Sequence, residues 1–98
     1  MEDYDFEWDE HKDIQNRIKH GVSFTQAMGA FRDKDMVILP DTTHSKEEER
    51  YMCLGNVESD VMTVRFTWRN KKVRIIGAAF WRKGRKIYER ENKNSIES

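Results

Sequence analysis

Cysteine and proline each occur once in this chain of 98 residues, and no long hydrophobic run is present. The single cysteine, Cys53, excludes an intramolecular disulfide and is typical of a reducing compartment. The longest apolar run, Ile75 to Trp81, has seven residues, whereas a membrane-spanning helix needs about 20. The acidic opening segment does not have the pattern of a secretory leader. We therefore expect a cytoplasmic protein that does not contact a membrane.

Apolar residues are sparse as well, at 37% of the chain, although 11% of the residues are aromatic. A chain of this length buries only about two-thirds of the surface that it exposes when unfolded. Each aromatic side chain buries a large apolar area. We expect residues 1–98 to form a single domain with an ordered core at about 4–93, and its packing to depend on aromatic side chains.

The formal net charge of zero conceals an uneven distribution of charge. Residues 1–60 contain 15 acidic and 7 basic side chains, while residues 61–98 contain 3 acidic and 11 basic ones. Such asymmetry favours a basic face for nucleic acid or another acidic partner. The alternative is that the two halves neutralise each other across the fold. Composition leaves both interpretations open.

The first third of the chain carries a strand signal and two helix signals. Residues 4–8 alternate polar and aromatic side chains, which is typical of a short half-buried strand. Asp9 is suited to cap a helix that runs to about His20, with Ile14 and Ile18 on its apolar face. Gly21 fits the residue that ends this helix. A capping box then starts a second helix, whose signals are Ser23, Gln26 and the apolar stripe Phe24, Ala27, Met28 and Phe31.

The rest of the chain indicates four strands and a final helix. The strands are predicted at 36–39, stopped by Pro40; at 50–54, ended by Gly55-Asn56; at 61–68; and, after a turn at Asn70-Lys71, at 73–80. Residues 82 to about 93 favour a helix with so few apolar side chains that it must either dock on the domain or order only on a partner. The predicted fold is α+β: an antiparallel β-sheet with two N-terminal helices packed on it and a C-terminal helix.

Residues 6–31, FEWDEHKDIQNRIKHGVSFTQAMGAF, resemble the opening of BrnT-type toxins, the toxin halves of bacterial type II toxin–antitoxin pairs. The similarity continues through short matches as far as Arg85-Lys86-Ile87-Tyr88-Glu89 and covers roughly residues 6 to 93. It implies a RelE-like fold and an endoribonuclease that inhibits translation. It also implies a cognate ribbon-helix-helix antitoxin that neutralises the toxin in a hetero-oligomer and provides its link to DNA.

The sequence departs from the BrnT pattern after the last strand. The resemblance implies Ile-Ser-Ala-Arg there, whereas this chain has Ile76-Gly77-Ala78-Ala79, so Ala79 stands in place of the arginine unless Arg82 replaces it. Arg65 falls where the resemblance implies an apolar residue and is therefore not assigned to the site. Two alternatives stay open: a catalytically impaired toxin-like binding module that acts through an antitoxin complex, and a plain RNA-binding domain.

RNA cleavage without a metal requires a base, an acid and cations around one phosphate, with the 2′-hydroxyl as nucleophile. No metal or cofactor is expected for such a reaction. The predicted catalytic residues are Lys12, His20, Arg50, Arg74 and Arg82. His20 either faces phosphate as an acid or caps its helix, and Arg50 either contacts phosphate or pairs with a carboxylate. His44 is a further loop candidate, while His11 is interpreted as a surface residue.

A basic cluster follows the last strand. Cations bind phosphates without reading sequence, and aromatic faces stack on unpaired bases. The predicted RNA-binding residues are Arg69, Arg82, Lys83, Arg85, Lys86 and Tyr88, with Trp81 flanking the cluster. The alternative is a solvated helix that Trp81 and Tyr88 anchor to the sheet.

Overall fold

The computed structural model describes residues 4–44 and 48–97. Over these residues the chain forms β1 (Phe6–Glu7), α1 (Glu10–His20), α2 (Phe24–Ala27), β2 (Val37–Pro40), β3 (Tyr51–Val57), β4 (Asp60–Arg69), β5 (Lys72–Ala79) and α3 (Arg82–Glu97). Two 3₁₀ segments, Met28–Arg32 and Thr42–His44, follow α2 and β2. Within these ranges no helix combines the length and apolarity needed to cross a membrane.

The strands form one five-stranded sheet in the order β1-β5-β4-β3-β2. Strands β2 to β5 pair antiparallel, whereas β1 pairs parallel with β5 through Phe6 opposite Val73. The predicted α+β fold and its antiparallel run are confirmed, and the first strand makes the sheet mixed. The predicted turn is also present, since Asn70 and Lys71 both have positive φ, at 54° and 65°. This conformation suits the twist of a two-residue hairpin.

Strand β3 is longer than the sequence indicated. It continues through Gly55-Asn56 to Val57, and the chain turns at Glu58 and Ser59, where φ is 52° and 71°. A glycine is required at position 55 because the 3₁₀ segment Met28–Arg32 packs directly on β3. A Cβ at this position would lie 2.7 Å from the Cα of Ala30. Close packing, not a chain reversal, explains the glycine.

The prediction that Ile14 and Ile18 form the apolar face of α1 is wrong. Ile14 is 44% exposed and Ile18 is 81% exposed, while Asp13 and Asn16 are the buried residues of this helix. The reason is that α1 lies beside β5, and polar side chains meet the backbone groups there. Asp13 Oδ1 accepts a hydrogen bond from the backbone N–H of Phe24 at 2.8 Å and so ties α1 to α2.

One sheet face carries the hydrophobic core. Met62, Val64 and Phe66 alternate inward along β4 and are fully buried under α2 and the first 3₁₀ segment. Phe31 packs edge-on against Phe66, with ring centroids 5.0 Å apart. Aromatic side chains thus supply much of the burial, as the composition predicts. The second helix is shorter than its apolar stripe suggested, because it continues as 3₁₀ from Met28.

Helix α3 covers part of the opposite sheet face. Gly84 is buried close to Thr63 and Leu54, and a Cβ at this position would clash with the Thr63 hydroxyl. Further along the helix, the Tyr88 hydroxyl donates to Asp33 Oδ2 at 2.6 Å. The predicted docking of this polar helix is therefore confirmed. The part of the face that α3 leaves uncovered carries the basic side chains of β4 and β5.

Candidate functional site

A cavity of about 450 Å³ lies between the first turns of α3 and the sheet face. His20 borders it from the end of α1, and Thr63, Arg65 and Ala79 border it from β4 and β5. The remaining wall is formed by Leu39, Asp41, Thr43, Met52, Ala78, Trp81, Lys83 and Ile87. Six helices and strands, together with the 3₁₀ segment after β2, therefore meet at one concave surface that carries three basic side chains.

The position of His20 is set by how α1 is fastened to the sheet. Strand β1 pairs with only the first part of β5, so the backbone of Ala78 is free to bond with α1. Asn16 Nδ2 donates to the carbonyls of Ala78 and Val22, both at 2.9 Å, and Asn16 Oδ1 accepts from the Ala78 N–H at 3.2 Å. This clamp fixes the last turn of α1 against β5 and places His20 at the cavity.

The end of α1 bears on the interpretation of His20 as a helix cap. Gly21 adopts the left-handed conformation, with φ of 69°, and its N–H donates to the carbonyl of Arg17. The backbone thus caps the helix, as Gly21 at this position predicts. The imidazole is exposed and borders the cavity.

Arg65 is the basic residue of the cavity that sequence reasoning passed over. It lies opposite Gly77 on β5, and the register shifts between Arg65 and Phe66. A Cβ on Gly77 would come within 2.8 Å of Arg65 Nη2, so the guanidinium lies directly over the glycine backbone. Alternation along β4 does place Arg65 on the face away from the core. This alternation could have identified Arg65 from the sequence. Arg65 was not assigned to the site because the BrnT resemblance implies an apolar residue at this position.

The other arginines of this sheet face are engaged in ion pairs. Arg74 Nη1 lies 2.9 Å from Glu7 Oε2 and joins β5 to β1. Arg50 and Arg69 both approach Glu48, at 3.6 and 3.3 Å. Arg74 faces away from Val73 and Ile75, as their alternation predicts. These three predicted residues are therefore held in ion pairs and are not among the residues that line the cavity.

The start of α3 carries the predicted basic cluster. Lys83 Nζ lies 5.7 Å from the centroid of the Trp81 ring, and both residues border the cavity. Arg82 and Arg85 instead line a smaller depression of about 160 Å³ together with Asp60, Phe80 and Trp81. Arg85 also pairs with Glu89 at 3.4 Å, and Lys86 is exposed. Trp81, which is 44% exposed, borders both concavities.

Two further candidates, Lys12 and Tyr88, do not border the cavity. Lys12 is in the first turn of α1, eight residues before His20, which corresponds to about 12 Å along the helix axis. Tyr88 uses its hydroxyl to anchor α3, and burial together with its bond to Asp33 raises the pKa of that hydroxyl. This is the anchoring role that the sequence left as an alternative. The side chain of His44 lies outside the described residues.

The cysteine is not available as a nucleophile. Cys53 is fully buried in β3, and burial, with a smaller effect of Asp33, raises the pKa of its thiol to about 12. The reactive form of cysteine is the thiolate, so Cys53 stays protonated and belongs to the core. Across the described residues, no three His, Cys, Asp or Glu side chains are grouped as metal ligands.

These features define a small α+β domain with a cationic cavity beside an exposed tryptophan, a surface suited to a polyanion. Residues 8–84 match the family of BrnT ribonuclease toxins of type II toxin–antitoxin systems, and the chain belongs to that family. A search of curated proteins finds no match. The family resemblance inferred from residues 6–31 is thereby confirmed. Family membership supports ribonuclease activity and implies an RNA target and an antitoxin partner.

Proposed function

We propose that this protein is an endoribonuclease toxin that cleaves single-stranded RNA without a metal ion and so inhibits translation. The observation that carries the proposal is the convergence of His20, Arg65 and Lys83 on one cavity. Arginine and lysine bind phosphate, and histidine exchanges protons near neutral pH. The exposed Trp81 ring offers a stacking surface for a base next to that phosphate.

The reaction that these groups support is transfer of the phosphate to the adjacent 2′-hydroxyl. A base removes the 2′-hydroxyl proton, the 2′-oxygen bonds to phosphorus, and the bond from phosphorus to the 5′-oxygen breaks. An acid then protonates the 5′-oxygen, which leaves a 2′,3′-cyclic phosphate and a 5′-hydroxyl. We assign proton transfer to His20, while the cations of the cavity stabilise the charge on the phosphorane.

The remaining predicted residues divide by position. We propose that the basic side chains of α3 contact phosphates on either side of the cleaved one; they are Arg82, Lys83, Arg85 and Lys86. Arg50, Arg69 and Arg74 hold their strands and carboxylates in place and contribute to the field over the sheet. Lys12 lies too far along α1 to share the phosphate that His20 meets.

The neutralising partner is part of the same proposal. A ribbon-helix-helix antitoxin in a hetero-oligomer with this chain would inhibit it by covering the cavity, and would bind DNA on behalf of the complex. Both partners and the RNA target would meet in the cytoplasm. Co-expression with the adjacent gene is expected to restore growth that the toxin alone arrests.

The direct test is cleavage of a single-stranded RNA by the purified protein in the presence of EDTA. We expect products that end in 2′,3′-cyclic phosphate, and no cleavage of the same sequence with 2′-O-methyl groups. His20→Asn should reduce cleavage by at least about a hundredfold, the lower end of a general acid or base contribution. His11→Asn, an exposed histidine in the same helix, serves as the matched control. Undiminished cleavage by His20→Asn would remove His20 from the mechanism.

A second candidate function is a toxin-like binding module with little catalysis of its own. The observation that favours it is Ala79, which borders the cavity where the BrnT resemblance implies an arginine. In that case Ala79→Arg should increase RNA cleavage, because it adds a cation at the same wall. If wild-type protein binds RNA and cleaves none, while Ala79→Arg cleaves, the binding-module function is the correct one.

A further inference from the structure

We infer that Arg65 is the main phosphate-binding residue of the cavity and that it supplies, from strand β4, the cation that Ala79 does not supply from β5. This inference rests on the proposed function, because it names a residue and a ligand group of the same RNA site. The ligand is a phosphodiester of single-stranded RNA.

The geometry of β4 and β5 directs Arg65 to this position. Thr63 lies opposite Ala79 and Arg65 lies opposite Gly77, so β5 presents a small residue beside each of these two β4 side chains. The guanidinium occupies the space over Gly77, where a Cβ would be 2.8 Å from Nη2 and 3.4 Å from Nε. The register shift next to Arg65 is a feature that re-aims side chains at functional sites.

The charge environment separates Arg65 from the other arginines of the face. Arg50, Arg69 and Arg74 each lie within 4.0 Å of a carboxylate. Among the described residues, no carboxylate lies that close to Arg65, although it is only partly exposed. A guanidinium keeps its charge throughout the accessible pH range and binds phosphate through paired N–H donors. A partly buried, unpaired guanidinium at a cavity wall is therefore available to an anion.

The neighbouring groups fit a phosphodiester better than a small anion. Lys83 borders the same cavity and can contact the same or the next phosphate, while Trp81 offers its ring to a base. Asp41 is the acidic residue of the wall; it is buried and has an interaction of its own within the fold. The cavity thus joins cations to an aromatic face, the combination used for single-stranded nucleic acid.

The first experiment measures affinity for a fluorescent 2′-O-methyl oligonucleotide, which cannot be cleaved through the 2′-hydroxyl. Arg65→Gln should weaken binding by at least about tenfold, and Arg65→Lys by less, since lysine keeps the charge but not the bidentate geometry. Arg90→Gln is the matched control, because Arg90 is an exposed arginine that borders neither concavity and pairs with Glu91; its effect should stay below about threefold. Circular dichroism checks that each variant is folded. Equal effects of Arg65→Gln and Arg90→Gln would overturn the inference.

The second experiment tests the contact over Gly77. Gly77→Ala should weaken binding in the wild-type background, because its Cβ displaces the guanidinium, and should add nothing in an Arg65→Gln background. Ala79→Arg should restore the affinity of Arg65→Gln. An additive Gly77→Ala effect, or no rescue, would contradict the inference.

The two experiments also separate the inference from the proposed function. If the wild-type protein binds the oligonucleotide through Arg65 but cleaves no RNA, the inference stands and the ribonuclease proposal fails. If it cleaves RNA and Arg65→Gln binds and cleaves as well as wild type, the ribonuclease proposal stands and the inference fails. Absence of any oligonucleotide binding overturns the inference as well.

Discussion

At the scale of single residues, Asn16 has the most demanding position in the fold. Its amide makes three buried hydrogen bonds, with the carbonyls of Val22 and Ala78 and with the N–H of Ala78. Each buried polar group left without a partner costs about 1–3 kcal/mol. We expect Asn16→Ala to lower the free energy of unfolding by about 2–4 kcal/mol, as measured by urea denaturation.

Two variants of α1 control this prediction. Asn16→Asp keeps the size of the side chain but turns an oxygen toward two carbonyls, so it should be as harmful as Asn16→Ala at neutral pH. Ile18→Ala should change stability by less than about 0.5 kcal/mol, because Ile18 is 81% exposed. A larger loss for Ile18→Ala than for Asn16→Ala would mean that α1 is rotated from the position described.

The Tyr88–Asp33 hydrogen bond gives a second prediction at this scale, with a defined pH dependence. Burial alone raises the pKa of the Asp33 carboxyl, but hydrogen bonds from Tyr88 and from the N–H groups of Asn56 and Asp35 outweigh it and lower that pKa. A lowered pKa in the folded state means that the stabilisation is present above the unfolded pKa of about 4 and is lost as pH falls. The raised pKa of Tyr88 means that stabilisation is also lost at alkaline pH, above about 10.

Tyr88→Phe is the variant that tests this dependence. It should lower the free energy of unfolding by about 1–3 kcal/mol near neutral pH, the range for a hydrogen bond to a charged group. The difference from wild type should shrink toward both acidic and alkaline pH. Tyr4→Phe, which removes a hydroxyl from a partly buried ring of the core, is the control and should show no such pH profile. A difference that is constant with pH would contradict the assigned bond.

Residue-scale features show how far the sequence could be interpreted before the structure was known. The alternation of β4 placed Arg65 on the face away from the core, and Gly21 correctly ended α1. Sequence could not show that Arg50, Arg69 and Arg74 are paired, because Glu7 and Glu48 are far from two of them in the chain. It also could not show that Arg65 has no carboxylate within 4.0 Å among the described residues. Ion pairing depends on strand order, which local patterns do not encode.

At the scale of elements, local signals predicted most boundaries, and tertiary contacts explain the departures. The caps at Asp9 and Ser23 and the turn at Asn70-Lys71 are sequence-local, and all three are present. The prediction of the buried side of α1 was wrong because Asn16 forms hydrogen bonds with the backbone of β5. These bonds outweigh the burial of Ile14 and Ile18, which lie one turn apart on the helix. The end of β3 was placed too early because Gly55 serves packing against the 3₁₀ segment.

The packing of the 3₁₀ segment on β3 yields a prediction with an internal control. Gly55→Ala would place a Cβ 2.7 Å from the Cα of Ala30, a backbone atom that cannot move alone. Overpacking of this kind costs about 1–3 kcal/mol, and it should appear as a lower melting temperature. Gly29→Ala lies in the facing segment, where the nearest atom to the new Cβ is 3.6 Å away. Its melting temperature should be unchanged or higher, and equal losses in the two variants would contradict this interface.

At the scale of the whole molecule, the pairing of charges favours a basic face over mutual neutralisation. Among the described residues, only Arg69 and Arg74 from residues 61–98 form ion pairs with carboxylates of residues 1–60. Arg85 and Arg90 pair with neighbours on their own helix, at Glu89 and Glu91. The basic half of the chain therefore keeps most of its charge available for an external partner.

This distribution predicts that RNA binding depends strongly on salt and on the start of α3. Each phosphate neutralised on a single strand contributes about −0.7 to the slope of log affinity against log salt concentration. The double variant Arg82→Glu, Lys86→Glu removes two such contacts, so the slope should become shallower by about 1.4. This slope is measured from the affinity for the 2′-O-methyl oligonucleotide over a range of salt concentrations.

The matched control for that experiment is Arg90→Glu, which reverses a charge on the same helix, eight residues from Arg82 and so about 12 Å along its axis. If the basic face is confined to the cavity and the first turns of α3, the slope of log affinity against log salt concentration for Arg90→Glu should stay near that of wild type. A slope that responds equally to reversal at Arg90 would show that the oligonucleotide follows net charge alone. The cavity would then have no special part in binding, because a purely electrostatic association does not distinguish one exposed cation from another.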